Sequence, residues 1–149
     1  MARPDPALLD PARYPARFVL ATRFQDLDPN KHVNNTATAA LFEDMRVRFN
    51  GQTGLHPALN AAHCRTMVAS LTIDYLAELF YPDPVDGYVG VLEVGRSSWT
   101  EAGLLCQGGR ITAVMRATLV CTLGGRPEPI PDALRALMDR HRLQPAAGA

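Results

Sequence analysis

The chain has little cysteine and no pattern to it: Cys64, Cys106 and Cys121 are odd in number, and no two are spaced as CxxC. Such a set predicts neither a disulfide framework nor a zinc knuckle, and reduced thiols in a cytoplasmic protein are the simpler expectation. An excess of either charge is equally lacking, because 15 basic residues balance 15 acidic ones. Without a basic footprint, neither a nucleic-acid nor a membrane-surface partner is expected. No apolar run approaches the roughly 18 residues that a membrane span needs. Asp5, Asp10 and the prolines around them break up any stretch that a signal peptide would use. Residues 1–16 are therefore read as an extended N-terminal arm, residues 17–143 as one domain of ordinary size, and residues 144–149 as a flexible tail.

What is present is periodicity broken by turn residues. Residues 17–24 mix β-branched and aromatic side chains over a strand's length. Residues 25–35 then crowd Asp, Asn, Pro and His into a loop. From Asn35 the pattern becomes helical, with Thr38, Leu41, Phe42, Met45 and Phe49 forming one stripe and Asp44 pairing with Arg48 at i, i+4. Asn34 or Asn35 can cap this helix, and Gly51 with Gly54 ends it. Ala37, Ala39 and Ala40 carry so little bulk that a sheet is expected to approach the helix closely there.

After an irregular stretch around His56, Pro57 and His63, residues 67–79 alternate. Leu71, Ile73, Tyr75, Ala77 and Leu79 face one way, which predicts a long strand with one buried face. Strands are expected again over 87–94, 98–106 and 111–123, and a last helix from Pro131 or Asp132 carries Leu134, Leu137 and Met138. The order implies an α+β class in which a curved antiparallel sheet of about five strands embraces one long helix.

Within the loop, Asp26, Asp28, Asn30 and His32 alternate directly before a helix N-terminus. Such an end offers unpaired N–H groups and a partial positive charge that polarise a carbonyl oxygen, and a carboxylate beside it is a hydrolytic arrangement. An Asx-rich capping loop has the same composition, and for the residues alone it is the plainer reading.

The run from Arg23 through Asp28-Pro29-Asn30-Lys31-His32-Val33-Asn34-Asn35, followed by Phe42-Glu43-Asp44-Met45-Arg46, resembles the signature of hotdog-fold thioesterases. Within them it is most similar to the HVNN branch of acyl-ACP and long-chain acyl-CoA thioesterases, and the likeness continues through residues 71–75, Arg96-Ser97-Ser98 and residues 129–131. The resemblance implies a hotdog fold and hydrolysis of an acyl-CoA or acyl-carrier-protein thioester, without cofactor or metal, by a homodimer or homotetramer. It implies Asp28 as nucleophile or general base, Asn30, His32 and a strand-borne Glu78 as its assistants, and the helix start at Asn34 and Asn35 as the group that polarises the carbonyl. Lys31 stands where many members have Gly, and Thr38 where many have Tyr; both are candidate substrate contacts, as are Arg96 and Ser98, with Arg116 beside them, for the phosphates of CoA. Glu43 is expected to pair with Arg46 or to form a buried hydrogen bond, Asp74 to be solvated, and His56, His63 and Cys64 to be loop residues without metal. A hotdog hydratase or dehydratase, or a module that binds an acyl thioester without cleaving it, are the alternative functions.

Overall fold

Helix α1, Asn35–Gln52, forms where the stripe predicts it. The Asn34 side chain accepts the Thr36 N–H at 2.8 Å, and Asp44 pairs with Arg48 at 2.8 Å on the outer face. Its buried side chains are Thr38, Phe42, Met45, Phe49 and, within the same stripe, Arg46. The structure, a computed structural model, describes residues 3–147, so the first two residues of the expected arm and the last two of the expected tail lie outside the described residues.

Around α1 runs an antiparallel sheet of β1 (Ala16–Leu20), β2 (Arg65–Tyr75), β3 (Val85–Val94), β4 (Ser98–Gln107) and β5 (Arg110–Leu123), in the order β1-β3-β4-β5-β2. A short β6, Arg126–Pro127, pairs with the end of β5. Helix α1 lies over β1, β3 and β4. The close approach occurs at glycines of the sheet: a Cβ on Gly87 would stand 2.6 Å from Met45 Sδ, and one on Gly103 2.9 Å from Met45 Cε. Burying Phe42, Met45 and Phe49 there contributes about 1.5–3 kcal/mol each. Small residues in the first turns of α1 have a different effect from the one expected. Ala40 is exposed, and with Ala39 it borders open space facing β2.

Strand β2 also departs from expectation. It lies at the sheet edge, where α1 touches it through Tyr75 at its end, and both of its faces are open: Leu71 is 46% exposed on one, and Ser70, Thr72 and Asp74 are exposed on the other. It ends at Tyr75, short of residue 79, because the N–H groups of Leu76 and Ala77 both donate to the Thr112 carbonyl, at 2.8 and 3.0 Å, and the chain bends out of the sheet.

The stretch read as irregular contains helix α2, Leu55–Ala61, which starts from Gly54 at φ +82°. Pro57 sits in its first turn, where a missing N–H removes no intrahelical bond. Helix α3, Asp132–Arg140, buries Leu134 and Met138 and packs on α2 and β3.

The described part of the N-terminal arm is a packed layer. Two single turns of 3-10 helix, Pro6–Leu8 and Pro11–Arg13, are capped by Asp5 and Asp10. They place Leu8 and Tyr14 on the outer sheet face against Ala102, Leu104 and Val114. The Gln144 N–H donates to the Arg13 carbonyl at 2.7 Å, tying the start of the tail to the arm. All three cysteines are free and buried, and burial raises the Cys106 and Cys121 thiols above the usual range, which makes them poor nucleophiles. Among the described residues no helix is long and apolar enough to cross a membrane.

Candidate active site

The loop between β1 and α1 is built on two aspartates with separate tasks. Asp26 is buried and anchors the loop: its Oδ2 accepts the Arg23 N–H at 2.8 Å, and its Oδ1 takes the Arg23 guanidinium at 2.8 Å. The hydrogen bond from that guanidinium holds the Asp26 carboxyl below the usual carboxylate range. The Asp26 carbonyl accepts the Asn34 N–H at 2.8 Å, which brings the start of α1 back beside it. Asp28 closes the tighter inner turn. Its carbonyl accepts the Lys31 N–H at 2.9 Å, and its Oδ1 accepts the N–H groups of Asn30 and His32 at 2.8 and 3.1 Å. This turn places Lys31 at φ +64°. That left-handed conformation suits glycine, and Lys31 holds it because the Asp28 turn closes around it.

Asp28, His32, Asn35, Thr38 and Glu78 line one cavity of about 300 Å³ at the N-terminal end of α1. His32 Nδ1 lies 3.3 Å from Glu78 Oε1, with the His32 side chain 31% and that of Glu78 60% exposed. The His32 ring is also fixed edge-on against Phe80, centroids 5.3 Å apart. Glu78 therefore reaches the site by a route the sequence did not suggest. It stands in the segment after β2, which turns away from the sheet at Thr112 and is pinned where the Val33 N–H donates to the Leu79 carbonyl at 2.8 Å. The helix end itself divides the work of two asparagines. Asn34 spends its side chain on the Thr36 N–H. Asn35, the first helical residue, faces the cavity, and its N–H has no acceptor within the helix.

Not every candidate arrives at this cavity. Asn30 and Lys31 are exposed and are absent from its lining; Asn30 takes part through its backbone N–H only. Arg96 lies in the β3–β4 turn and Ser98 begins β4, pairing with Val120, whereas the cavity is bordered by Ala113 on β5. Seven residues of strand, about 23 Å, separate these ends within one chain. Glu43 is exposed and forms no ion pair with Arg46 among those of the described residues. Arg116 and Asp74 line a separate recess with Leu8 of the N-terminal arm. His56 contacts the Asn60 side chain at 3.2 Å, and among the described residues no group of three His, Cys, Asp or Glu side chains is placed to hold a metal.

Two cavity residues escaped the sequence reading. Tyr75 donates its hydroxyl to the Asn35 carbonyl at 3.3 Å, and Thr112 donates to the Leu105 carbonyl at 3.1 Å while its own carbonyl turns the chain towards Glu78. Tyr75 could be seen only as one apolar member of an alternating strand, since nothing local marks a strand end that meets a helix start.

Known proteins share this fold. A thioesterase of Thermus thermophilus, solved as a complex with coenzyme A and zinc, is 34% identical; 86% of this chain and 95% of that one superpose with a TM-score of 0.76. A predicted thioesterase of Bacillus stearothermophilus is 30% identical over 87% of this chain and 98% of that one, with a TM-score of 0.77. A Pseudomonas aeruginosa protein, PA5185, is 25% identical over 88% and 94% of the two chains, with a TM-score of 0.75. Comparison with curated proteins finds no match. The model of the thioesterase-like superfamily matches residues 22–138, which include the whole Asp28 loop, α1 and the sheet from β2 to β6, and the chain belongs to that superfamily.

Proposed function

We propose that the protein hydrolyses an acyl thioester of coenzyme A or acyl-carrier protein, releasing the free acid and the thiol. The observation that carries this reading is the convergence of Asp28, the His32–Glu78 pair and the Asn35 helix end on one cavity. In the proposed reaction the thioester carbonyl oxygen accepts from the Asn35 N–H, where the helix dipole stabilises developing negative charge. Asp28, whose Oδ1 is held by two N–H groups, removes a proton from water as the water oxygen attacks the carbonyl carbon. The tetrahedral intermediate collapses with cleavage of the C–S bond. A thiol of pKa about 8.5 leaves readily as the thiolate, so the site needs no strong acid on the sulfur side. Glu78 orients His32, which positions the water or takes its proton onward.

Coenzyme A is the better-supported carrier, because the Thermus relative was solved with it. A homodimer is the assembly that suits the outer edge of β2, which pairs with β5 on its other side and exposes Met67, Val68, Leu71 and Tyr75. The test is free-thiol release from a panel of acyl-CoAs and acyl-carrier proteins. Release that tracks enzyme concentration is expected; tight binding with no release from any member would instead favour a binding module, and hydration of an enoyl thioester without thiol release a hydratase.

A further inference from the structure

A second recess of about 440 Å³ lies beside the first, between α1 and β2. Its walls are apolar, formed by Ala39, Ala40 and Phe42 on the helix and Val68 and Leu71 on the strand. At its far end stands Arg46, which is only 8% exposed. Its Nε is buried without a hydrogen-bond partner, and none of the ion pairs among the described residues includes it. A buried guanidinium N–H left in this state is costly unless something else supplies an acceptor.

The polar groups around Arg46 do not remove that need. Glu101, on β4 beneath the helix, is fully buried, and its Oε1 accepts the Trp99 indole N–H at 3.1 Å while Oε2 has no partner. Burial drives Glu101 towards its neutral form, opposed by Trp99, Arg46 and Asn50. Asn50 Oδ1 is likewise buried without a donor. Glu43 also lines the recess and is exposed, and no ion pair joins it to Arg46 among the described residues. One buried cationic donor thus faces a recess that is apolar apart from Thr36 and the exposed Glu43.

Position connects this recess to the thioester. The first cavity uses Asn35 and Thr38 of α1, and the recess uses Thr36, Ala39, Ala40 and Phe42, so the two occupy adjoining stretches of one helix flank. From Asn35 to Arg46 is eleven residues, about 16 Å along the axis. An extended acyl chain of about a dozen atoms spans that distance, given bonds of about 1.5 Å foreshortened by their zigzag.

We propose that the recess receives the acyl chain and that Arg46 binds an oxygen acceptor, carboxylate or hydroxyl, at its distal end, so that ω-oxygenated acyl thioesters are preferred to plain fatty ones. This rests on the thioesterase reading and narrows its substrate class. A hydrogen bond to a charged donor is worth roughly ten- to hundredfold in affinity. It is realised away from the reacting carbon and therefore belongs mainly in KM.

The experiment compares dodecanoyl-CoA with its ω-hydroxy and ω-carboxyl counterparts by thiol release, in the unaltered protein and in Arg46→Met. Preference for either oxygenated substrate by roughly tenfold or more in kcat/KM, carried by KM and lost in Arg46→Met, is the expected result. A carboxyl preference assigns the contact to charge pairing, and a hydroxyl preference to hydrogen bonding. Equal or better use of dodecanoyl-CoA by the unaltered protein overturns the proposal, whether or not Arg46→Met folds. If no substrate releases thiol, the hydrolase reading fails separately. Calorimetric binding of the matching non-hydrolysable thioethers then decides: equal affinities overturn the assignment of Arg46, and tighter binding of the oxygenated analogues supports it.

Discussion

Replacing Asp28 by Asn separates chemistry from folding at this site. Asp28 Oδ1 organises the loop by accepting two N–H groups, at 2.8 and 3.1 Å, and an amide oxygen in the same place can accept both. The turn should therefore survive, with a stability change below about 1 kcal/mol. What disappears is the carboxylate's capacity to take a proton. General-base catalysis contributes about 10²–10⁴ in rate, or about 2.7–5.5 kcal/mol of barrier. Thiol release at saturating acyl-CoA should fall by that factor in kcat, while a urea denaturation curve stays close to that of the parent. Asp28→Ala should lose a comparable rate and also about 1 kcal/mol of stability, since it orphans both donors. An Asp28→Asn protein that keeps more than about a third of the parent kcat would refute the assignment, because general-base loss on the scale above cannot hide in so small a change.

Other consequences can be measured with the same preparations. Glu78→Gln keeps a group beside His32 but removes its charge, and a fall in kcat of roughly tenfold is expected with little change in KM; no change would make the 3.3 Å pair incidental. Thr38→Tyr places a ring into the cavity of about 300 Å³, so turnover of long acyl chains should drop more than that of short ones in a chain-length series. For Asp26, folding lowers the pKa, so its contribution is complete above the unfolded value near 3.8 and fades as pH falls through the folded one. Asp26→Asn should cost about 1–2 kcal/mol at neutral pH, discounted for the exposed Arg23 arm, and the gap between the two urea midpoints should close at acid pH. Leu71→Glu on β2 should convert a dimer to a monomer in light scattering; a parent already monomeric at micromolar concentration would remove the basis for pairing at this edge.

Much of the architecture was legible in local patterns. The stripe and an asparagine cap located the start of α1 to within a residue because both obey rules that operate inside four or five residues. Alternation located β3, β4 and β5 in the same way. Failures came where a long-range contact chose between locally equivalent outcomes. Alternation continues past Tyr75, but the Thr112 carbonyl captures two N–H groups and ends β2 there. A period of two also signals an amphipathic strand without saying what covers its apolar face, and on β2 the single chain leaves it open.

The sequence by itself determined the local geometry of the loop: Asp28 with its turn, His32 four residues on, and a capped helix start are all short-range consequences of which side chains follow one another. Only the tertiary structure decided what converges with them. Glu78 is brought to His32 by a bend after β2, Tyr75 to Asn35 across the gap between sheet and helix, and Asn30, Arg96 and Ser98 are left outside that cavity. It likewise decided that Arg46, an ordinary charge in a helical repeat, would be buried with its Nε unpartnered. Such outcomes depend on where α1 lies on the sheet. The glycines at 87 and 103 set that position by admitting Met45, and no pattern within the helix itself encodes it.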